Sequence, residues 1–435
     1  MRRYRLALLL LLSLSLAACG GATQPAVAPT AAVIEPTTAS TVAVQEPTQA
    51  PTVTVAEPTA EPTQASPQQP TSVKIGVLNP TTGSFTVFGK DVNAGIELYF
   101  NSIDNKVADT PIELVFADTA GDPQQALEQA RRLVEQEKVD FLTGIVNSAV
   151  VVPLAQFADQ QEVPLLILVG GALAATGPDR SPYVFRTAMA NGQQDRPLGW
   201  YTASELGLKR AATFAWDFAA GEARSKAFAA AFTAAGGNIV TQQKPPVGTT
   251  DYGPFISQVD PTSIDVAYAY FAGPGAIAYV QQMRQFGLTP DLQIVSPGFL
   301  TEGEVLQSQG KDALGIISAT HYTPVLDNPE NKTFLEQYEA KFGGLPGTYV
   351  EAGYLGAVVV AAAIEAVGGD LSDKQPFLDA LAELNLDTPA GPFRFDARGQ
   401  AIRNIYITRV VEAGDGSVTH EVIDVIEDVS QDWSP

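Results

Sequence analysis

Two histidines, His321 and His420, and one cysteine, Cys19, are all the imidazole and thiol chemistry in 435 residues. A zinc site or a Cys/His dyad needs more ligands and bases than that. The chain has no Gly-x-x-x-x-Gly-Lys-Ser/Thr phosphate loop, no Gly-x-Gly-x-x-Gly fingerprint after its first strand and no Gly-x-Ser-x-Gly nucleophile elbow. A hydrolase built on His321 and a serine has no supporting motif. The Asp and Glu residues are scattered as on a solvated surface, without a carboxylate pair that stands out. The chain reads as non-enzymatic, with no cofactor and no metal.

The chemistry that remains is recognition by polar, Gly-rich or aromatic loops. In the first half these are residues 79–88 ending in Phe88, then Val146-Asn147-Ser148 and Gly170-Gly171-Ala172. In the second half they are Trp216-Asp217-Phe218, Phe271-Ala272-Gly273 and Pro297-Gly298-Phe299, with His321 as a further polar contact. Asn147 and Ser148 open a helix, where a hydroxyl, free backbone N–H groups and the positive dipole end suit a carboxylate. Ser148 as a plain N-cap is an equal alternative. For Phe218, Phe271 and Phe299 the alternative is ordinary core packing.

These loops follow strands. Val73 to Leu78 is a short apolar run with β-branched residues, ending in the turn-rich Asn79-Pro80-Thr81-Thr82-Gly83. Val92, Ile96, Tyr99, Phe100 and Ile103 recur at helical spacing. Strands are expected at 112–117, 139–144 and 164–169, the last nearly all apolar as in a sheet buried on both faces. Helices are expected at 123–137 and 149–160, the first with proline in its opening turn. The alternation then restarts, with strands at 210–216, 238–243, 264–271 and 292–296. Helices at 191–206, 219–235, 252–259 and 276–286 separate them. Long helices at 329–342, 349–367 and 373–384 precede strands at 392–396, 402–411 and 418–426.

Two βα series imply two doubly wound α/β lobes, because one core rarely grows beyond about 250–300 residues. Open α/β sheets bind ligands beyond their strand C-termini, where the loops above lie.

Composition fits export. Arg2, Arg3 and Arg5 precede an apolar run from Leu6 to Leu16, too short to span a membrane and shaped like a secretory signal. No thiol follows Cys19, so stability must come from a packed core, for which 45% apolar residues suffice. The net charge of −22 argues against nucleic acid and gives an anionic ligand a repulsive field to overcome. Residues 20–71 are rich in Pro, Thr, Ala, Val, Gln and Glu, with Glu-Pro-Thr units starting at Glu35, Glu46, Glu57 and Glu61. Such a segment buries too little apolar surface to fold and is expected to act as a tether.

Two resemblances extend this reading. Leu16-Ala17-Ala18-Cys19 resembles the lipobox of bacterial lipoproteins, which implies a signal at 1–18 and a diacylated Cys19 as mature N-terminus. An ordinary signal peptide with an incidental cysteine is the alternative. From Ser72 to Asp428 the chain resembles the solute-binding proteins of branched-chain amino-acid-type ABC transporters, with the type I periplasmic binding fold. The stretches that carry it are Val73 to Leu78; Phe88-Gly89-Lys90-Asp91; Phe116 to Pro123; Tyr183-Val184-Phe185-Arg186-Thr187; and Gly248-Thr249-Thr250-Asp251-Tyr252.

The resemblance implies two lobes (72–188 with 322–398, and 189–321 with 399–428) closing around one solute. Hinges are expected near Thr187-Ala188, Thr320-Tyr322 and Asp396-Gly399. It also implies a membrane permease as partner, an extracytoplasmic location and a monomer. Amino-acid-binding members hold the α-carboxylate with Ser or Thr and the ammonium with an acidic residue. Here Ser148 fits, Gly170-Gly171-Ala172 lacks the hydroxyls, and Phe218 and Pro297-Gly298-Phe299 stand where a tyrosine and the acid are expected.

Pro297-Gly298-Phe299, His321-Tyr322 and Asp327-Asn328-Pro329 are similar to a branch that includes aromatic-carboxylate importers. The expected ligand is therefore an apolar acid, benzoate-like or a keto acid. Its carboxylate would lie at Ser148 and the N–H groups near Gly171 and Ala172, and its body among Phe88, Phe218, Phe271 and Phe299. A branched-chain amino acid, with Glu302 or Asp217 supplying the charge, is the alternative; a lipid-anchored sensor is a second one.

Overall fold

The structure, a computed structural model, describes residues 72–435. Cys19, the signal and the tether expected at 20–71 lie outside the described residues.

The first sheet has six strands: β1 (Val73–Asn79), β2 (Lys106–Val107), β3 (Thr110–Asp118), β4 (Phe141–Gly144), β5 (Leu165–Ile167) and β6 (Val184–Arg186). Their order is β2-β3-β1-β4-β5-β6, parallel throughout except for the β2–β3 hairpin. Helices α1 (Thr86–Ser102), α2 (Pro123–Arg131) and α3 (Ser148–Gln161) connect them. Asp122 caps α2 by accepting the Gln124 and Gln125 N–H groups, and Pro123 fills the first helical position where no N–H is needed. β5 is buried along its whole length, as its apolar run requires.

The second sheet has nine strands. They are β7 (Arg210–Ala215), β8 (Asn238–Gln243), β9 (Val266–Tyr270), β10 (Gln293–Ser296), β11 (Ile317–Thr320), β12 (Asn385–Thr388), β13 (Gly391–Phe395), β14 (Ala401–Glu412) and β15 (Val418–Val429). The order is β12-β13-β14-β11-β10-β9-β7-β8, with β15 paired to β14. Helices α4 (Asp195–Ser204), α5 (Ala219–Ala234), the single turn α6 (Gly253–Ile256), α7 (Gly273–Gln285) and α8 (Gly303–Gln309) belong to this half.

Three helices return to the first half: α9 (Pro329–Phe342), α10 (Thr348–Ala366) and α11 (Lys374–Glu383). α10 crosses α1 with backbones in contact. A Cβ at Gly95 would strike the Val350 carbonyl, and one at Gly353 would strike the Val92 carbonyl. α10 is long and apolar enough to cross a membrane, but it is largely buried in this domain and serves as a core helix. Phe377 of α11 packs on Phe141 of β4, which ties that helix to the first sheet as well.

Two differences from the sequence reading stand out. Strands β12 and β13 pair into the second sheet through β14, whereas the expected boundary put all of 322–398 with the first lobe. A connection of only a few residues between Phe395 and Ala401 makes β13 and β14 antiparallel neighbours, so they cannot part into different sheets. Strand β11 was not expected at all. It is a four-residue stretch, Ile-Ser-Ala-Thr, whose alternation is too short to register, yet it is buried between β10 and β14.

The chain passes between the halves through a buried polar hub. Arg186 Nε donates to Gln400 Oε1 at 2.6 Å and Gln400 Nε2 donates to the Ala188 carbonyl at 2.7 Å. Gln193 Nε2 donates to the Ala401 and Val429 carbonyls.

Candidate ligand-binding site

Six aromatic side chains form a closed belt between the halves. Phe85 lies 6.4 Å from Phe88, Phe88 stacks on Tyr349 at 4.6 Å, and Tyr349 lies 5.8 Å from Phe299. Phe299 meets Tyr270 edge-on at 5.7 Å, Tyr270 lies parallel to Phe218 at 6.2 Å, and Phe218 returns to Phe85 at 6.4 Å. Phe85, Phe88 and Tyr349 come from the start of α1 and of α10. Phe218, Tyr270 and Phe299 come from the ends of β7, β9 and β10. All six line one cleft.

The belt has two polar stations. Ser148, the first residue of α3, is buried, and its Oγ accepts the Gly171 N–H (3.1 Å) and the Asn191 Nδ2–H (3.2 Å). With both acceptor positions used, the hydroxyl proton is left to donate to an acceptor in the cleft. Ser148 is not the cap of its helix. Asn147 is: its Oδ1 accepts the Ala149 N–H and its Nδ2 donates to the Gly121 carbonyl, so Asn147 is absorbed into the loop.

The second station is Arg224 on α5, also buried and also lining the cleft. Its guanidinium lies 4.9 Å from the Tyr270 ring centre and 5.0 Å from that of Phe299. Nη1 bonds Asp195 Oδ2 at 3.1 Å and Gln194 Oε1 at 3.4 Å, while Asp195 Oδ1 accepts the Tyr268 hydroxyl at 2.7 Å. Burial works against the charge on Arg224, yet Asp195 and the surrounding phenols outweigh it and raise the pKa, so Arg224 is a cation. Its Nε has no hydrogen-bond partner among the described residues.

A second, small cavity lies behind the belt and shares Val169, Arg224, Phe299 and Tyr349 with the cleft as wall residues. His321 and Arg403 are in its wall. Arg403 Nη2 bonds Glu351 Oε1 at 2.6 Å, and His321 Nε2 stands 3.7 Å from Glu351 Oε2. Burial first, then the charges of Arg403 and Arg224, push the His321 pKa well below its usual value, so the imidazole is neutral.

Of the residues singled out from sequence, Phe88, Ser148, Phe218 and Phe299 come together in the cleft, and His321 sits in the cavity behind it. Several others do not line the cleft. Phe271 is fully buried against Trp216, Tyr252 and Tyr279, one strand position beyond the outward-facing Tyr270. Asp217 points to solvent. The Gly171 N–H is spent on Ser148, and the Gly170 and Ala172 carbonyls face Arg186. Gly298 has φ +100°, and a Cβ there would press on Thr320, so it serves the turn that presents Phe299.

Sequence reasoning missed Asn191, Arg224, Tyr270 and Tyr349, which line the cleft together with Phe85 and Trp216 from two of the loops it named. For Arg224 the one available signal was an arginine two turns into an Ala-rich helix that follows an aromatic loop.

A family model described as periplasmic binding protein matches residues 72–415. The chain is 31% identical over 362 residues to the Leu/Ile/Val-binding protein homolog 6 of Brucella melitensis, covering 82% of this chain and 92% of that one. It is similar to the structure of an ABC transporter substrate-binding protein from Sphaerobacter thermophilus (33% identity, TM-score 0.79, 83% and 99% coverage). It is also similar to a solute-binding protein of an ABC transporter from Rhodopseudomonas palustris BisB5, solved with 3,4-dihydroxy benzoic acid (28% identity, TM-score 0.79, 83% and 99% coverage).

Proposed function

The chain belongs to the periplasmic binding protein family, and from that membership we propose that it captures a small aromatic carboxylate in the belted cleft and delivers it unaltered to an ABC permease. Its relatives are substrate-binding proteins of transporters, not enzymes, and the family implies an extracytoplasmic location. One observation carries the choice of ligand: the cleft combines six aromatic rings with Arg224 and, among the described residues, no lining carboxylate.

An aromatic ring gains stacking and apolar burial from such a belt. A carboxylate gains a charge-assisted bond from Arg224 and the Ser148 hydroxyl, and that local help offsets the acidic background. The dihydroxybenzoic acid held by the Rhodopseudomonas palustris neighbour supports the same class.

The name of the Brucella melitensis relative favours a second reading, a branched-chain amino acid. Its ammonium would be buried without a counter-charge, at a cost of several kcal/mol. Glu302 does not supply one, because it lines a different cavity and accepts the Thr348 N–H at 3.1 Å. Asp217 points to solvent. Asp195 is already paired with Arg224 and Tyr268.

The proposal includes membrane attachment through a lipid on Cys19, with residues 20–71 as tether and the binding domain acting as a monomer. Thermal-shift screening tests the ligand class. Benzoate and its ring-substituted relatives should raise the melting temperature while leucine, isoleucine and valine leave it unchanged; stabilisation by leucine alone would reject the proposal.

A further inference from the structure

We propose that Glu302 is a positioning residue for ligand capture: reaching from the second half to cap α10 in the first, it seats Tyr349 in the belt and latches the lobes closed. This rests on the solute-binding reading of the cleft but not on the class of ligand held there.

The junction has two tiers built on the same three segments. The ring tier is Phe88 of α1, Tyr349 of α10 and Phe299 after β10, with Tyr349 stacked on Phe88 at 4.6 Å and 5.8 Å from Phe299. In the polar tier, Asp91 stands about one turn beyond Phe88, Glu302 follows Phe299 in the same short segment, and Thr348 is the first residue of α10. α10 has no cap of its own, because Gly347 before it has no side chain to offer. Glu302 Oε2 from the other half accepts the Thr348 N–H at 3.1 Å instead. The backbones are adjacent there: a Cβ at Gly303 would lie 3.1 Å from Gly347 Cα. An opening that parts Phe299 from Tyr349 therefore also parts Glu302 from Thr348.

The latch is linked to a proton. Asp91 reaches the junction from α1 and Glu304 from α8, and among the described residues no salt bridge reaches these two or Glu302. Burial and Glu304 push Asp91 up to about 6. Burial, with Asp91 nearby and against the pull of the Thr348 bond, pushes Glu302 up to about 8. The other groups facing them are neutral. The phenols of Tyr270, Tyr338 and Tyr349 are all raised by burial. His420, across the small cavity that Glu302 also lines, meets Thr301 and Thr323 and is held down by burial to about 4. With the halves parted, Glu302 returns to water, where a glutamate titrates near 4.5. Between those values the closed form holds a proton that the open form has lost, so affinity falls as pH rises from 4.5 towards 8. A protonated carboxyl still accepts the Thr348 N–H through its carbonyl oxygen.

Calorimetric titration with benzoate at about pH 6 and about pH 9 tests this on the intact protein, Glu302→Gln and Glu302→Ala. The unaltered protein should bind about tenfold more weakly at the higher pH, the half-buried position of Glu302 limiting the effect. Glu302→Gln, which keeps the acceptor without the titration, should hold one affinity at both pH values, within about threefold of the unaltered protein at the lower one. Glu302→Ala, which loses the cap, should bind about fivefold more weakly than Glu302→Gln at both. An affinity of the unaltered protein that does not change with pH, a pH dependence that survives in Glu302→Gln, or equal binding by the Gln and Ala variants would each overturn the proposal. Small-angle scattering of the ligand-free protein reads the same latch without benzoate: the unaltered protein should be more compact at about pH 6 than at about pH 9, and Glu302→Gln the same at both. Dimensions of the unaltered protein that do not change with pH would overturn the latch, whereas failure of benzoate to bind at either pH would bring down the proposed ligand class and leave the scattering to decide.

Discussion

In the proposed function, Arg224 concentrates the recognition chemistry in one side chain. Its planar guanidinium lies against both the Tyr270 and Phe299 rings and is anchored to Asp195, which fixes its orientation. Lysine at this position keeps the charge but loses the flat stack and the Nε donor. Arg224→Lys should therefore weaken benzoate binding about thirtyfold, near 2 kcal/mol, in a calorimetric titration; an affinity equal to the unaltered protein would mean the guanidinium does not recognise the acid. The sequence made Phe88, Ser148, Phe218 and Phe299 visible because they sit in or just after the loops that follow strands, where composition changes abruptly. It hid Arg224 because the helix around it, Ala219–Ala234, is Ala-rich without a clear apolar face, and beside Glu222 and Lys226 an arginine reads as surface charge. Phe271 misled for the opposite reason: a strand's alternation turns neighbouring residues to opposite faces, and Tyr270 took the cleft side.

At the scale of elements, the contact between α8 and the start of α10 carries a pH dependence. Glu302, the N-cap residue of α8, accepts the Thr348 N–H at the head of α10. Burial, with Asp91 nearby, pushes its pKa up to about 8 despite that bond, and burial together with Glu304 pushes Asp91 up to about 6. An unfolded glutamate titrates near 4.5. Between those values the folded chain holds a proton that the unfolded chain has lost, so stability declines as pH rises from 4.5 towards 8. The side chain is half-buried, which discounts the effect to about 2 kcal/mol.

Glu302→Gln keeps the acceptor and removes the titration. Chemical denaturation should find it about 2 kcal/mol more stable than the unaltered protein above pH 8 and equal to it below pH 4.5. The same difference at both pH values would show that Glu302 does not titrate in this way. Elements of this length were largely legible: α9 and β8 lie where their patterns placed them, since caps and alternation are local signals. β11 and the sheet membership of β12 and β13 were not, because strand pairing is a long-range outcome that a four-residue segment cannot announce.

At the scale of the whole molecule, the proposed function would make ligand binding and lobe closure one event. Three of its rings come from each half, and the two crossings, Phe85–Phe218 and Phe299–Tyr349, are contacts between halves. A ring acid inside the belt is therefore contacted by both lobes only when they are closed, which gives it the differential affinity that closure requires. At micromolar affinity about 8 kcal/mol is available for this. The buried hub of Arg186, Gln193 and Gln400 ties the connecting segments together. The two-lobed α/β plan was readable from the restart of the βα alternation, whereas the belt was not, since its members are dispersed from Phe85 to Tyr349 and meet only in three dimensions.

The central claim is that charge on an aromatic acid is read inside an aromatic belt, and paired calorimetric titrations with benzoate and methyl benzoate test it most directly. Benzoate should bind at micromolar Kd, and the ester, which keeps the ring but lacks the charge, should bind at least about a hundredfold more weakly. Equal affinity for acid and ester, or binding of leucine in preference to both, would contradict the account.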